Sequence, residues 1–161
     1  MRVAFAADHG GAALKDELLA RLEADPAYPA GPDRLIDLGG DGSDPNDDYP
    51  DFAERLGLAI QRHEADRGVL VCGSGVGASV AACKMIGIRA SVCHDTYSAH
   101  QGVEHDDMNV LCLGGRIVGI ELALEIVRAY LGATFSNAPR HRRRVDKVLA
   151  IEARESSGGQ P

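Results

Sequence analysis

No apolar run in this sequence approaches the ~20 residues that a membrane-spanning helix requires, so no such span is expected. The four cysteines, Cys72, Cys83, Cys93 and Cys112, show no C-x-x-C spacing. Nor does the start read as a secretory leader, because Arg2 opens a short strand that Asp8 and His9 interrupt. A reduced, cytoplasmic chain is the expectation. Net positive charge is missing as well: the formal charge of −7 argues against nonspecific nucleic-acid binding by the whole protein. There is no H-E-x-x-H or other compact ligand set among the six histidines, so neither a metal nor another cofactor is expected. Internal repeats and long low-complexity regions are absent. The 161 residues suffice for one domain with its own core, placed at 1–155, with 156–161 as a frayed tail.

What is present is a regular alternation. Arg2 to Ala7 reads as a buried strand, and Leu14, Leu18, Leu19 and Leu22 then recur at helical spacing. Ala24 to Asp33, with Pro26, Pro29, Gly31 and Pro32, reads as a surface connection before a short strand at Leu35 to Leu38. Gly39 to Pro50 carries Asp41, Asp44, Asp47 and Asp48 and reads as an exposed acidic loop; a helix follows from Pro50 to about His63. Strands are expected at Val69 to Cys72, Ile88 to Cys93 and Val110 to Leu113. Helices are expected after Gly77, near Thr96 to Glu104, and over Gly119 to Leu131. Continuous apolar strands alternating with helices imply a parallel sheet covered on both faces, with ligands at the carboxyl ends of the strands.

Chemistry collects at those ends. Residues 68–79 place Cys72 at the end of an apolar strand, directly before the turn Gly73-Ser74-Gly75-Val76-Gly77. A thiol at a helix N-terminus lies in a positive field that favours the thiolate, and the free N–H groups of the turn can stabilise an oxyanion. Cys93 and Cys112, by contrast, read as small buried hydrophobes. Ser74 is either functional or simply the residue that satisfies the turn backbone. The turn is no Walker loop, since no Lys-Ser or Lys-Thr pair closes it, and Gly73, Gly75 and Gly77 give G-x-G-x-G in place of the dinucleotide G-x-G-x-x-G. Asp95 falls about where a ribose-binding acid would, which keeps a nucleotide-binding module as an alternative. Asp8, His9 and His105 can form an acid/base set; His63 and His100 read as solvated histidines.

Asn137 is expected to cap a C-terminal helix reaching toward Glu155. On it, Arg140 and Arg144 lie four residues apart, so both guanidinium groups can clamp one phosphate. The alternative use of this basic helix is nucleic-acid contact, with Arg142 and Arg143 as part of a solvated face.

Taken together, Asp8-His9-Gly10-Gly11, Asp48-Tyr49-Pro50, Cys72 to Gly77, Gly87-Ile88-Arg89-Ala90, His105 to Asn109, Gly115-Arg116 and Arg140-His141 with Arg144 resemble the B-type ribose-5-phosphate isomerase family, over nearly the whole chain. That family also includes allose-, galactose- and erythrulose-phosphate isomerases. The resemblance implies a Rossmann-like three-layer α/β/α fold with a five-stranded parallel sheet. It also implies a long C-terminal helix that reaches a neighbouring subunit in a dimer. It casts Cys72 as the base between carbons 1 and 2, with Ser74 and the amides of Gly73, Gly75, Val76 and Gly77 around the enediolate. His105 would open the sugar ring, assisted by Asp48 and Tyr49. Asp8 would contact sugar hydroxyls, and His9, Arg116, Arg140 and Arg144 the phosphate, some of them from the partner chain. One branch of the family uses a glutamate as base; its position holds Ala78 here, which places the chain in the cysteine branch.

Two positions depart from the family pattern. Asp106 follows His105 where many relatives have asparagine, and Cys83 occupies the asparagine position of the usual Ala-Ala-Asn-Lys segment. An ionised aspartate accepts hydrogen bonds but donates none, so Asp106 bears on substrate-hydroxyl recognition. The expected activity is interconversion of ribose 5-phosphate and ribulose 5-phosphate in a homodimer or tetramer with shared active sites, without nucleic-acid or membrane partners. Allose 6-phosphate and erythrulose 4-phosphate are the alternative substrates.

Overall fold

The computed structural model describes residues 1–25 and 34–157. Its elements are β1 (Val3–Ala7), α1 (Ala12–Glu23), β2 (Leu35–Asp37), α2 (Tyr49–Gln61), β3 (Arg67–Cys72), α3 (Val76–Ala82), β4 (Ala90–Val92), α4 (Thr96–Asp106), β5 (Val110–Gly114), α5 (Ile120–Gly132) and α6 (Pro139–Ser156). The strands form one sheet in the order β2-β1-β3-β5-β4, and every pairing is parallel.

Alternate residues of β1 serve two cores. Val3, Phe5 and Ala7 pack with Leu18 and Leu22 of α1, Val103 of α4 and Ile126 and Tyr130 of α5. Ala4 and Ala6 face Phe52 and Leu56 of α2 and Ala78 and Ala82 of α3. Burial on both faces is why the strands carry no polar alternation. Each fully buried Leu or Ile contributes roughly 1.5–3 kcal/mol relative to exposure.

The strand order reverses between β1 and β3, so the turns leaving these two strands meet at the switch point where open α/β sheets bind ligands. The contact there is backbone on backbone. A Cβ on Gly11 would lie 2.4 Å from the Val71 carbonyl oxygen, and one on Gly10 would lie 3.1 Å from the Gly73 nitrogen. Glycine at both positions lets the β1 turn rest directly on the end of β3.

Several elements differ from their sequence expectation. Helix α3 starts at Val76, because Gly75 reverses the chain with φ of +80°. Strand β4 is shorter than 88–93: Ile88 is buried against the α2 side of the sheet, and the Arg89 backbone pairs with Asn109. Asn137 is not the cap of α6. It takes a left-handed φ of 53° and its Oδ1 accepts from Arg142 Nε at 2.9 Å; Ala138 occupies the cap position, followed by Pro139. Ser156, assigned to the tail, closes α6 with its hydroxyl donating to the Glu152 carbonyl. The connection at 26–33 and the tail from 158 lie outside the described residues.

Helix α6 buries only His141 and Val145, while Val148 and Ile151 remain 53% and 52% exposed. Farther along, Glu152 accepts the Gly87 N–H at 2.9 Å, so the helix touches this chain near both ends while part of its apolar stripe stays exposed. Among the described residues no helix is long and apolar enough to cross a membrane.

Candidate active site

A cleft of about 330 Å³ opens at the switch point, lined by Asp8, Tyr49, Cys72, Gly73, Ser74, Gly77, Arg116 and Ile117. β3 carries Cys72 to its end, where the thiol is 4% exposed, and Cys72 Sγ accepts the Gly75 N–H at 3.1 Å. Ser74 Oγ accepts the Val76 N–H at 3.3 Å, so the hydroxyl braces the turn while lining the cleft. The first turn of a helix leaves N–H groups without intrahelical acceptors, and here the Gly75 N–H just before α3 points to the sulfur. By contrast, burial pushes the Cys93 thiol up and the Cys112 thiol well up, in keeping with their role as core residues.

Neighbouring turns complete the walls. Gly115 N–H donates to the Cys72 carbonyl at 2.8 Å and Arg116 N–H to the Gly73 carbonyl at 3.1 Å, which lays the Arg116 side chain over Gly73. The Tyr49 ring lies over Gly77, where a Cβ would come within 2.8 Å of it. Asp48, one residue earlier, is the exposed N-terminal cap of α2 and makes no side-chain capping bond. Asp8 is 7% exposed, and its Oδ1 has no hydrogen-bond partner among the described residues. Burial raises its carboxyl above the ordinary range, against the lowering by the Gly10 backbone. A buried carboxylate oxygen without a partner costs stability unless something binds it. In this cleft the natural partner is a ligand hydroxyl.

His9 follows Asp8. Its backbone N–H and its Nδ1 both contact Asp47 Oδ1, at 2.8 Å and 2.6 Å. That bond raises the imidazole above its ordinary value.

His105, Arg140 and Arg144 are not part of this cleft. His105 lies at the C-terminal end of α4, with Nδ1 2.8 Å from Gln101 Nε2 and its ring stacked on His141 at 4.0 Å. Arg140 Nε donates to His141 Nε2 at 2.9 Å, and Ser136 Oγ sits 2.6 Å from His141 Nδ1. His141 is therefore the neutral tautomer with its proton on Nδ1. Burial lowers it, helped by His105, Arg140 and Arg144. Asp106 and Arg144 line a separate groove of about 1030 Å³ between β4, α4 and α6.

Topology explains the separation. α4 leaves the carboxyl end of β4 and returns to the amino end of β5, so His105 and Asp106 sit at the edge opposite Cys72. Asn109, just beyond, accepts the Gly68 N–H at the start of β3. β3 is six residues long, which separates its two ends by roughly 17 Å. No five-carbon phosphosugar spans that distance, so one chain does not unite Cys72 with His105.

Asp95 makes no offer to a ribose. It caps α4 by accepting the Ser98 N–H at 2.7 Å, a bond that lowers its carboxyl. Arg142 is likewise engaged, stacked over Phe135 at 5.5 Å and bonded to Asn137. Two residues of this picture were given no role by the sequence. Asp47 was one carboxylate of an acidic loop, and His141 was one residue inside an arginine run.

A parallel sheet with a thiol and an amide-rich turn at its switch point defines an α/β enzyme built for chemistry on a small polar ligand. The model of the ribose/galactose isomerase family matches residues 3–148, and the chain belongs to that family. It is 44% identical over 155 residues to ribose-5-phosphate isomerase B of Escherichia coli, covering 96% of this chain and 99% of the relative. It is 36% identical over 152 residues to D-erythrulose-4-phosphate isomerase 2 of Mycolicibacterium smegmatis, covering 94% and 97%. Among solved structures, ribose-5-phosphate isomerase B of Mycoplasma genitalium with bound ribulose 5-phosphate superposes with a TM-score of 0.84. Its sequence is 35% identical, with 94% of this chain and 96% of that chain covered.

Proposed function

We propose that this isomerase interconverts ribose 5-phosphate and ribulose 5-phosphate, with Cys72 as the base. The observation that carries the reading is the pairing of Cys72 Sγ with the Gly75 N–H inside a cleft whose other buried polar atom, Asp8 Oδ1, has no partner among the described residues. The Cys72 thiolate takes the proton from carbon 2 of the open-chain aldose, and the electron pair moves toward carbon 1 to give an enediolate. Returning the proton to carbon 1, as a proton passes from oxygen 2 to oxygen 1, gives the ketose. The N–H groups of residues 73–77 stabilise the oxyanion that forms between the two transfers. Asp8 and Tyr49, with Asp48 beside it, hold the hydroxyls, and His9 and Arg116 face the phosphate.

The active unit in this proposal is at least a homodimer. His105, for ring opening, with Arg140 and Arg144 for phosphate and Asp106 beside them, comes from the partner chain. The opposite-edge placement of His105 and Cys72 supports that arrangement, as does the uncovered apolar stripe of α6. Four free thiols support a reducing compartment, the cytoplasm. Erythrulose 4-phosphate is the second substrate to test, since a relative named for that activity matches nearly the full chain. The test is direct measurement of aldose–ketose interconversion on four-, five- and six-carbon phosphosugars, with unphosphorylated ribose as control. Turnover confined to unphosphorylated sugars, or none at all, refutes the assignment.

A further inference from the structure

The acidic loop 39–48 is tied down more firmly than its exposure suggests. Asp37 accepts from the buried Lys15 Nζ at 2.8 Å and from the Gly39 N–H at 2.8 Å, while Lys15 also pairs with Asp16. Burial opposes the charge on Lys15, but the two carboxylates outweigh it and raise the ammonium above its ordinary range. The Ala7 N–H donates to the Gly39 carbonyl at 3.2 Å. Gly40, at φ of +87°, passes so close to the Ala7 carbonyl that a Cβ would lie 1.6 Å from its oxygen. At the far end Asp47 N–H donates to the Asp44 carbonyl. The loop thus delivers one carboxylate, Asp47, to the turn between β1 and α1, and there it meets His9.

We propose that Asp47 is the positioning residue of the anion site: one carboxylate oxygen holds both the backbone and the ring of His9, so that Nε2 of the imidazolium is the donor offered to the substrate's phosphate. This rests on the phosphosugar reading above. Two distances to the same oxygen, 2.8 Å from His9 N and 2.6 Å from Nδ1, fix the ring's rotation and commit Nδ1–H to Asp47, so Nε2 has a proton to donate in the imidazolium form. Nε2 has no partner among the described residues. The imidazole sits at the start of α1, whose N-terminal field opposes a positive ring. Asp47 offsets that field, and Asp8 is the other charged group that faces the ring. A dianionic phosphate arriving there meets a ring held in one orientation, whose protonated form Asp47 favours.

The experiment compares wild type, Asp47→Asn and Asp47→Glu. The His9 ring is followed by NMR and assigned with His9→Gln, and binding of inorganic phosphate is measured by calorimetry over about pH 5.5 to 8.5. KM and kcat for ribose 5-phosphate are measured in parallel. Asp47→Asn is expected to lower the His9 titration midpoint and to weaken phosphate binding roughly 5- to 10-fold at alkaline pH, with the gap closing at the acid end. KM rises to the same extent while kcat stays within about 2-fold, and Asp47→Glu recovers most of the loss. An unchanged His9 midpoint in folded Asp47→Asn overturns the proposal. A loss of phosphate affinity that is equal at every pH, or one carried by kcat, also overturns it. If the His9 and phosphate results hold while wild type isomerises no phosphosugar, the substrate assignment falls and Asp47 keeps its role.

Discussion

His105 and His141 stack with ring centroids 4.0 Å apart and planes inclined by 34°, one at the end of α4 and the other buried in the first turn of α6. Arg140 on one nitrogen and Ser136 on the other hold His141 neutral. A neutral ring places no positive charge against His105. His141 is depressed by burial first and by its cationic neighbours second, so its contribution to stability is present above the ordinary histidine value of 6.5. That contribution is lost as pH falls through the lower folded value. His141→Gln is therefore expected to flatten the acid-side decline of Tm below about pH 6.5, as followed by thermal melts. An unaltered decline would assign it to other groups.

Cys72→Ala is expected to keep its Tm within a few degrees and to lose isomerase turnover by at least about 100-fold, since alanine has no proton to exchange. Deuterium wash-in at carbon 2 of the substrate, read by NMR, checks the step itself. Near-parental exchange in the folded variant would remove Cys72 as the base.

His105→Ala should slow conversion of the cyclic sugar more than that of the open-chain aldehyde, because only the former needs a ring proton moved. The proposed trans arrangement adds a sharper expectation. In a heterodimer of Cys72→Ala and His105→Ala chains one site carries both lesions and the other carries none. Random mixing should restore about a quarter of parental activity. No recovery in verified heterodimers would return the two residues to one chain, against the topology.

Backbone contacts at the switch point predict an order of glycine sensitivities. Gly40→Ala combines a positive φ with a Cβ 1.6 Å from the Ala7 oxygen, whereas Gly87→Ala, at φ of +79°, meets nothing within 4 Å. Gly40→Ala should cost several kcal/mol in urea unfolding and Gly87→Ala about 1 kcal/mol. Equal losses would mean that strain alone sets the cost.

Much of this architecture was legible in the sequence because two-sided burial leaves uninterrupted apolar strands, as at Val69 to Cys72, and because Gly75 and Gly77 mark a sharp turn after them. The meeting of Asp8, Cys72, Ser74 and Arg116 in one cleft followed from that alternation, since parallel strands bring their carboxyl-end turns together, whereas Tyr49, at the start of α2, entered only through the family resemblance. Asn137 misled because a capping residue type stood two positions before the helix, where its side chain instead receives Arg142. Asp47 and His141 were hidden for a different reason. Their significance lies in contacts with His9 and His105, 38 and 36 residues away in the chain, and neither spacing belongs to any local period.

Specificity is the remaining test, and it turns on Asp106. In the proposed mechanism the proton-transfer groups act only on carbons 1 and 2, and the cationic side chains assigned to the phosphate are indifferent to chain length. In the proposed dimer, discrimination among four-, five- and six-carbon substrates therefore falls to the hydroxyls between, which Asp8 on one side and the partner's copy of the exposed Asp106 on the other would meet. Asp106 can only accept hydrogen bonds when ionised, whereas an amide both accepts and donates. A site that leaves a polar group unpaired discriminates more strongly than one that misses a methylene. Asp106→Asn is accordingly expected to change the ratio of kcat/KM between these substrates by about 10-fold while hydrogen exchange at carbon 2 of the preferred substrate stays within about 2-fold. If all turnover falls together at a constant ratio, Asp106 belongs with the proton-transfer groups and selection rests on Asp8 alone.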